Sequence, residues 1–260
     1  MLRYLLLFFS VLAFSQQYKS VDFIICDAIV SPNFNEKSIY GEVTYEFKVL
    51  EKIDTISIDA VAMDFTEVKI NNKKVPFVYD GKHLKLYKGF KKKKNIISFT
   101  YTAKPKQTMY FVGNEEDFQI WTQGQGKYTS HWLPSFDDVN EKVIFNVNII
   151  FDKKMNVLAN GKSYKKLDFN TTFSFKTDGK EIVRSFKMKK PMSSYLVMLA
   201  IGDFIKQTET TSSGTVLEYY LDRKDSLKFE PTYRHSKQIF EFLEQEIGIK
   251  YPWEVYRQVP

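Results

Sequence analysis

The chain has one cysteine, Cys26, in 260 residues. A single thiol excludes an intrachain disulfide and any metal site built from clustered cysteines. Within "VDFIICDAIV" it reads as a buried strand residue, a small hydrophobe and not a reactive group. Long apolar runs are lacking too. The stretch from Tyr4 to Phe14 is shorter than the ~20 residues a membrane-spanning helix requires, so no integral membrane segment is expected. Charge is not concentrated either. The net +7 comes from scattered lysines, with one dense run at 91–94. No aromatic platform or nucleic-acid motif accompanies that run, so it reads as a solvated loop before a strand, and no nucleic-acid partner is expected. Hydrophobic residues at 43% and charged residues at 27% exclude global disorder.

The amino terminus carries an address. "MLRYLLLFFSVLAFSQQ" has one arginine, an apolar stretch, and Ala13-Phe14-Ser15 before Gln16, the small-x-small pattern of a signal-peptidase site. Residues 1–15 are read as a signal peptide, in preference to a buried first strand, and the mature chain is expected to be exported.

Aromatic residues make up 16% of the chain, with 23 Phe and 16 Tyr spread through short alternating runs, which favours strands. "IYGEVTYEFKVL" (39–50) alternates strictly. "TISIDAVAM", "FTEVKINNKKVPFVYD" with a turn at Asn71-Asn72, "HLKLYKGF" and "NIISFTYTAK" follow, and the pattern predicts a sandwich or saddle of antiparallel sheets. Further on, 143–162 reads as two strands around Asp152-Lys153-Lys154. "TTFSFKT" (171–177) and "IVRSFKM" (182–188) read as a hairpin, and 193–204 as a strand buried on both faces. Asn170-Thr171-Thr172 fits a glycosylation acceptor and is taken as a chance match.

After the polar break at 210–214 and one more strand, "TVLEYYL", the chain turns helical. Thr232 to Ile247 places Ile239, Phe240, Leu243 and Ile247 on one face, with Pro231 near the first turn and Gly248 as the stop. A new strand begins within "YPWEVYRQVP".

One stretch fits none of this. "TQGQGKYTSHWLPSFDD" (122–138) is neither a tidy hairpin nor a strand. With "NVLANGK", "MSSYLVMLAIGDF" and "FLEQEIGIKYPWEVYRQVP" in order, it resembles the amino-terminal part of the aminopeptidase N family of zinc metallopeptidases, which includes leukotriene hydrolase. The resemblance runs from about Val21 to Pro260.

It implies a saddle-like antiparallel β-domain over residues 16–212, and over 213–260 the α/β start of a thermolysin-like catalytic domain. The zinc motif is expected beyond Pro260, because the three histidines are followed by Leu84, Trp132 and Ser236 and none opens an H-E-x-x-H helix. This span is therefore expected to bind no zinc and to hold no catalytic residue. In the family the β-domain lends the active site a loop that binds the substrate's free α-amino group. Gln125 stands at that position, and Gln123 at the preceding Thr-Gln position. A terminal ammonium needs acceptors, which a glutamine carbonyl supplies, while Gly124 and Gly126 let the backbone approach a ligand. A polar turn that touches no substrate is the plainer alternative.

Four positions depart from the family's pattern. Asp138-Val139 replaces the usual Glu-Pro, Ser130 stands where many relatives have Arg, and Gln125 replaces the commoner Glu, which implies weaker charge recognition. Two functions follow from this reading. One is the amino-terminal part of a secreted zinc aminopeptidase, with peptide substrates and the remaining catalytic domain as partners. The other is an exported, non-catalytic β-domain serving as a binding or scaffold module.

Overall fold

The computed structural model describes residues 17–126, 128–164 and 179–259. Residues 1–15, read above as a signal peptide, Lys127, Asn170-Thr171-Thr172 and the 171–177 arm of the expected hairpin lie outside the described residues.

Val21–Asn33 (β1) and Ser38–Val49 (β2) pair antiparallel along their whole length. Alternation puts Cys26, Ala28, Val30, Val43, Tyr45 and Phe47 on the buried face and Asp27, Glu42 and Thr44 on the other. The run Ile24-Ile25 breaks the alternation because the register shifts between Phe23 and Ile25, a β-bulge. Ile56–Asp59 (β3), Met63–Ile70 (β4), Lys73–Lys74 (β5), Val78–Tyr79 (β6), His83–Leu86 (β7) and Lys93–Ala103 (β8) follow. Between β4 and β5, Asn71 (φ 50°) and Asn72 (φ 63°) both take the left-handed conformation, as a two-residue hairpin turn demands. The lysine run enters β8 through a turn organised by buried Asn95, whose amide Nδ2 donates to the carbonyls of Lys91 (2.7 Å) and Lys93 (3.0 Å).

Met109–Gly113 (β9) and Phe118–Thr122 (β10) form a hairpin. Then come Lys142–Asp152 (β11), Asn156–Ala159 (β12), Lys162–Tyr164 (β13), Glu181–Lys187 (β14), Met192–Ser193 (β15), Leu199–Gly202 (β16), Phe204–Thr210 (β17), Val216–Asp222 (β18) and Val255–Gln258 (β19). Among the described residues the strands form one nine-stranded sheet, in the order β13-β14-β11-β1-β2-β8-β4-β5 with β15 joined to β11. A four-stranded sheet (β12-β16-β10-β9) and two three-stranded sheets, β3-β7-β6 and β17-β18-β19, complete the set.

The mainly β fold with antiparallel sheets is as the sequence leads one to expect, with corrections of detail. β11 lies parallel to β1, not antiparallel. The stretch 193–204 is not one strand: Ser194–Leu196 is a 3-10 turn, and only Leu199–Gly202 is strand buried on both faces. The expected helix 232–247 is two helices, Phe229–Tyr233 (α1) and Ser236–Ile247 (α2), with Pro231 inside the first. Gly248 does end α2, at φ 71°. Of the expected apolar face, Phe240 packs on Tyr251 and Tyr256, whereas Ile239, Leu243 and Ile247 are exposed.

The core beneath the large sheet is aromatic. Phe23 stacks on Phe47 at 5.2 Å and meets Phe136 at 4.3 Å, and Tyr45 packs edge-on to Phe23 and Phe136. Beyond it, β18 and β19 run parallel, a pairing that requires a crossover, and α1 and α2 supply it. The sheet β17-β18-β19 packs with these helices and takes its first strand, β17, from before residue 212.

Candidate functional site

The stretch 122–138 crosses the molecule as a strap tied down on both sides. It leaves the end of β10, where Thr122 Oγ1 accepts a hydrogen bond from the Leu199 amide at 2.9 Å. The Gln123 amide donates to the Thr108 carbonyl at 2.7 Å. Thr108 is a buried β-branched residue at φ 73°, a backbone state normally left to glycine, and its Oγ1 has no partner.

Gly124 is buried against the 3-10 turn Ser194–Leu196. A Cβ there would stand 2.5 Å from the Tyr195 carbonyl oxygen and 2.7 Å from Thr129 Oγ1, so only glycine lets the strap sit this close. Gln125 and Gly126 form the exposed turn that follows, with Gly126 at φ 85°. The strap then re-enters the fold. Thr129 Oγ1 donates to the Ser194 carbonyl at 2.9 Å, and the fully buried Trp132 accepts at its carbonyl from Tyr101 Oη at 2.7 Å. Tyr45 Oη donates to the Pro134 carbonyl at 2.7 Å, and Ser135 pairs with Asp59 through two backbone bonds of 2.9 Å.

Polar side chains lock the far end. The Asp137 amide donates to Asp59 Oδ2 at 2.6 Å, and Ser130 Oγ donates to Asp137 Oδ2 at 3.1 Å. Burial holds the Asp59 carboxyl above its ordinary pKa, opposed by the bond from Asp137 and by nearby His83. Ser130 is completely buried in this network, so the departure at that position is a packing feature of the strap. Ser193 Oγ donates to the Val139 carbonyl at 2.7 Å, which ties down the second departure.

The three residues singled out from the sequence therefore share one loop but not one environment. Gly124 is buried, while Gln123 and Gln125 are exposed on either side of it. His131, six residues on, has its ring nitrogen 3.0 Å from Gln107 Nε2, and burial lowers its pKa, which favours the neutral imidazole. Sequence reasoning missed the seat of the loop: Thr108, Ser194, Tyr195 and Leu199. The block "MSSYLVMLAIGDF" contains three of these, but a run of apolar and small residues does not say which segment it will carry.

Among the described residues, no group of three or more His, Cys, Asp or Glu side chains comes together to hold a metal ion. His83 lies beside Asp80 and Asp59, and His235 beside Gln238.

The fold is thus β-rich and carries an exposed glutamine-bearing turn on a buried, hydrogen-bonded base. The model of the family described as the Peptidase M1 N-terminal domain matches residues 17–196, and the chain belongs to that family. It is 24% identical over 250 residues to aminopeptidase 2 of Candida albicans, covering 88% of this chain and 25% of that protein. It is 26% identical over 188 residues to probable aminopeptidase 1 of Sulfurisphaera tokodaii, covering 71% of this chain and 22% of that protein. Among solved structures, yeast LTA4 hydrolase in complex with bestatin superposes with a TM-score of 0.74 at 19% identity, over 92% of this chain and 37% of the other. The chain thus spans about a quarter of the length of these aminopeptidase relatives.

Proposed function

We propose that this chain is the amino-terminal part of an exported, zinc-dependent aminopeptidase, and that its 122–126 loop reads the free α-amine of a peptide substrate. Residues 16–212 form the β-domain in this reading, and 213–260 open the catalytic domain, with the zinc ligands outside this span. Similarity to proteins named aminopeptidases over most of the chain supports the activity. Export rests on the signal-peptide pattern of residues 1–15.

One observation carries the assignment to the loop. Gln125 is exposed at the tip of a strap whose base is fixed by buried hydrogen bonds and by the contact of Gly124 with the Tyr195 carbonyl. With the backbone on either side of the acceptor tied down, less ordering entropy is lost there when an ammonium docks than on an unanchored loop. The Gln125 amide oxygen accepts from the charged N–H, and Gln123, also exposed, precedes it in the loop.

The test uses the full-length protein. Gln125→Ala removes one acceptor for a charged donor, worth about 1.5 to 3 kcal/mol, or roughly a ten- to hundredfold loss in kcat/KM on a peptide with a free amino terminus. Binding of free and N-acetylated peptides as competitive inhibitors provides the control, since acetylation removes the charge being read. If the variant weakens both ligands equally, or leaves the free peptide unaffected, Gln125 is only a turn residue.

A further inference from the structure

Among the described residues, six non-glycine residues take a positive φ, and five of them, Lys37, Ala62, Asn71, Asn72 and Lys93, are exposed. The sixth, Thr108, differs in two ways. It is β-branched, the side-chain type least able to take this state, and it is buried at 1% exposure. An exposed turn residue relaxes into another turn type at little cost, whereas a buried one moves only if its neighbours move with it. Such a conformation persists where the surroundings over-determine it, and outliers of this kind gather at sites that need a fixed geometry.

The contacts of Thr108 show which geometry is fixed. It closes the connection from β8 and leads into β9, whose first residue, Met109, pairs with Thr122 at the end of β10. One rung beyond both strands, the Thr108 carbonyl accepts from the Gln123 amide at 2.7 Å. Gln123 directly precedes Gly124, so the direction of that carbonyl sets where the loop leaves the sheet. Gln107, next to Thr108, reaches the far side of the loop. Its Nε2 lies 3.0 Å from His131 Nε2, where a neutral imidazole with its proton on Nδ1 accepts the bond. Two consecutive residues therefore hold positions 123 and 131, and the turn that carries Gln125 lies between them. Thr108 Oγ1 is buried with no hydrogen-bond partner among the described residues, so what this side chain supplies is its branched shape.

We propose that Gln107 and Thr108 are positioning residues for the 122–126 loop. The packed, left-handed backbone of Thr108 fixes the point where Gln123 departs from the sheet, and Gln107 fixes the return at His131. The consequence for ligands rests on the reading of Gln125 given above; the clamp itself does not.

The test compares Thr108→Gly, Thr108→Val and Gln107→Ala in the full-length protein, with folding judged by circular dichroism. Glycine accepts φ 73° but many other conformations as well, and it gives up the branched side chain. Valine keeps the shape and loses only the hydroxyl. Hydrogen exchange, read by mass spectrometry on fragments covering 119–131, reports on the clamp, with fragments of the β1–β2 hairpin as the control for global stability. Thr108→Gly should speed exchange in the loop about tenfold and leave the hairpin unchanged, while Thr108→Val matches the wild type. Gln107→Ala should speed loop exchange roughly threefold, as expected for one exposed hydrogen bond. Gln107 is exposed, so its variant decides the matter if the glycine variant does not fold.

Competitive inhibition by free and N-acetylated peptides reads the consequence. Thr108→Gly should weaken the free peptide about tenfold, the cost of re-ordering roughly one backbone residue. The N-acetylated peptide should bind as before, and Thr108→Val should behave as the wild type; general loss of structure would weaken both peptides alike. Gln125→Ala, run in parallel, separates the two ideas: if it leaves the free peptide unaffected while Thr108→Gly still frees the loop, the amine reading fails and the clamp stands. Wild-type loop exchange in Thr108→Gly or in Gln107→Ala, acceleration by Thr108→Val equal to that by Thr108→Gly, or equal weakening of both peptides by Thr108→Gly when Gln125→Ala affects only the free one, would overturn the proposal.

Discussion

Glu141 offers a sharp check on how this fold is held together. It is 4% exposed, and its Oε1 accepts from the Phe23 amide at 3.1 Å, beside the β-bulge in β1. Burial raises its pKa from 4.5 to about 7; the bond from Phe23 opposes the shift, while the charges of Asp22 and Asp138 add to it. An acid whose folded pKa lies above its unfolded one binds more protons when folded. Its contribution to stability is therefore greatest below pH 4.5 and is lost as pH rises to about 7, after which the loss is constant. The full shift corresponds to about 3 kcal/mol at 1.36 kcal/mol per unit, and relaxation around the carboxylate reduces this to roughly 1 to 2 kcal/mol between pH 5 and 8. Urea midpoints of the wild type and of Glu141→Gln, measured at both pH values, isolate the effect, because the glutamine keeps the acceptor for Phe23 and removes the titration. The wild type should lose this much more stability than the variant on going from pH 5 to 8. Equal losses in the two proteins would refute the assignment, and a larger loss in the variant would reverse its sign.

Two other outcomes are expected. Gly124→Ala forces a methyl to within 2.5 Å of the Tyr195 carbonyl, so the strap must lift; thermal unfolding should show about 1 to 3 kcal/mol of destabilisation, and an unchanged melting temperature would mean that the loop is not seated as described. Export with cleavage after Ser15 predicts a mature amino terminus at Gln16, readable by mass spectrometry of the protein from its native host; a retained Met1 would end the export reading.

Much of this molecule is legible in its one-dimensional pattern. Strict alternation in "IYGEVTYEFKVL" fixes which face of β2 is buried, because side chains on a strand point to opposite sides in turn. Asn71-Asn72 announces its own turn, since few other residues accept two successive left-handed conformations. Gly248 ends α2 for the same reason. These are local rules, satisfied within a few residues. Alternation, however, is silent on which strand lies alongside and in which direction, so the parallel pairing of β1 with β11, more than a hundred residues apart, appears only in the folded chain. It is equally silent on helix breaks imposed from outside: Phe229 and Tyr233 turn into a shared core with Leu217 and Tyr219, which divides the expected single helix in two.

The loop divides along the same line. Its odd composition and its resemblance to a known family single out Gln123, Gly124 and Gln125 from sequence alone. That Gly124 is obligatory is decided by the Tyr195 carbonyl, seventy-one residues away. That Ser130 is buried in a network with Asp59 and Asp137 is likewise decided by the fold. Nothing in the run "YPWEVYRQVP" singles out Arg257, yet the carbonyls of Ala159 and Gly161 and the carboxylate of Glu218 all converge on its guanidinium. Composition and period report what each residue prefers. Which distant backbone atom stands within bonding range is set by tertiary packing, because hydrogen bonds and steric contacts act over a few ångströms of space whatever the separation along the chain.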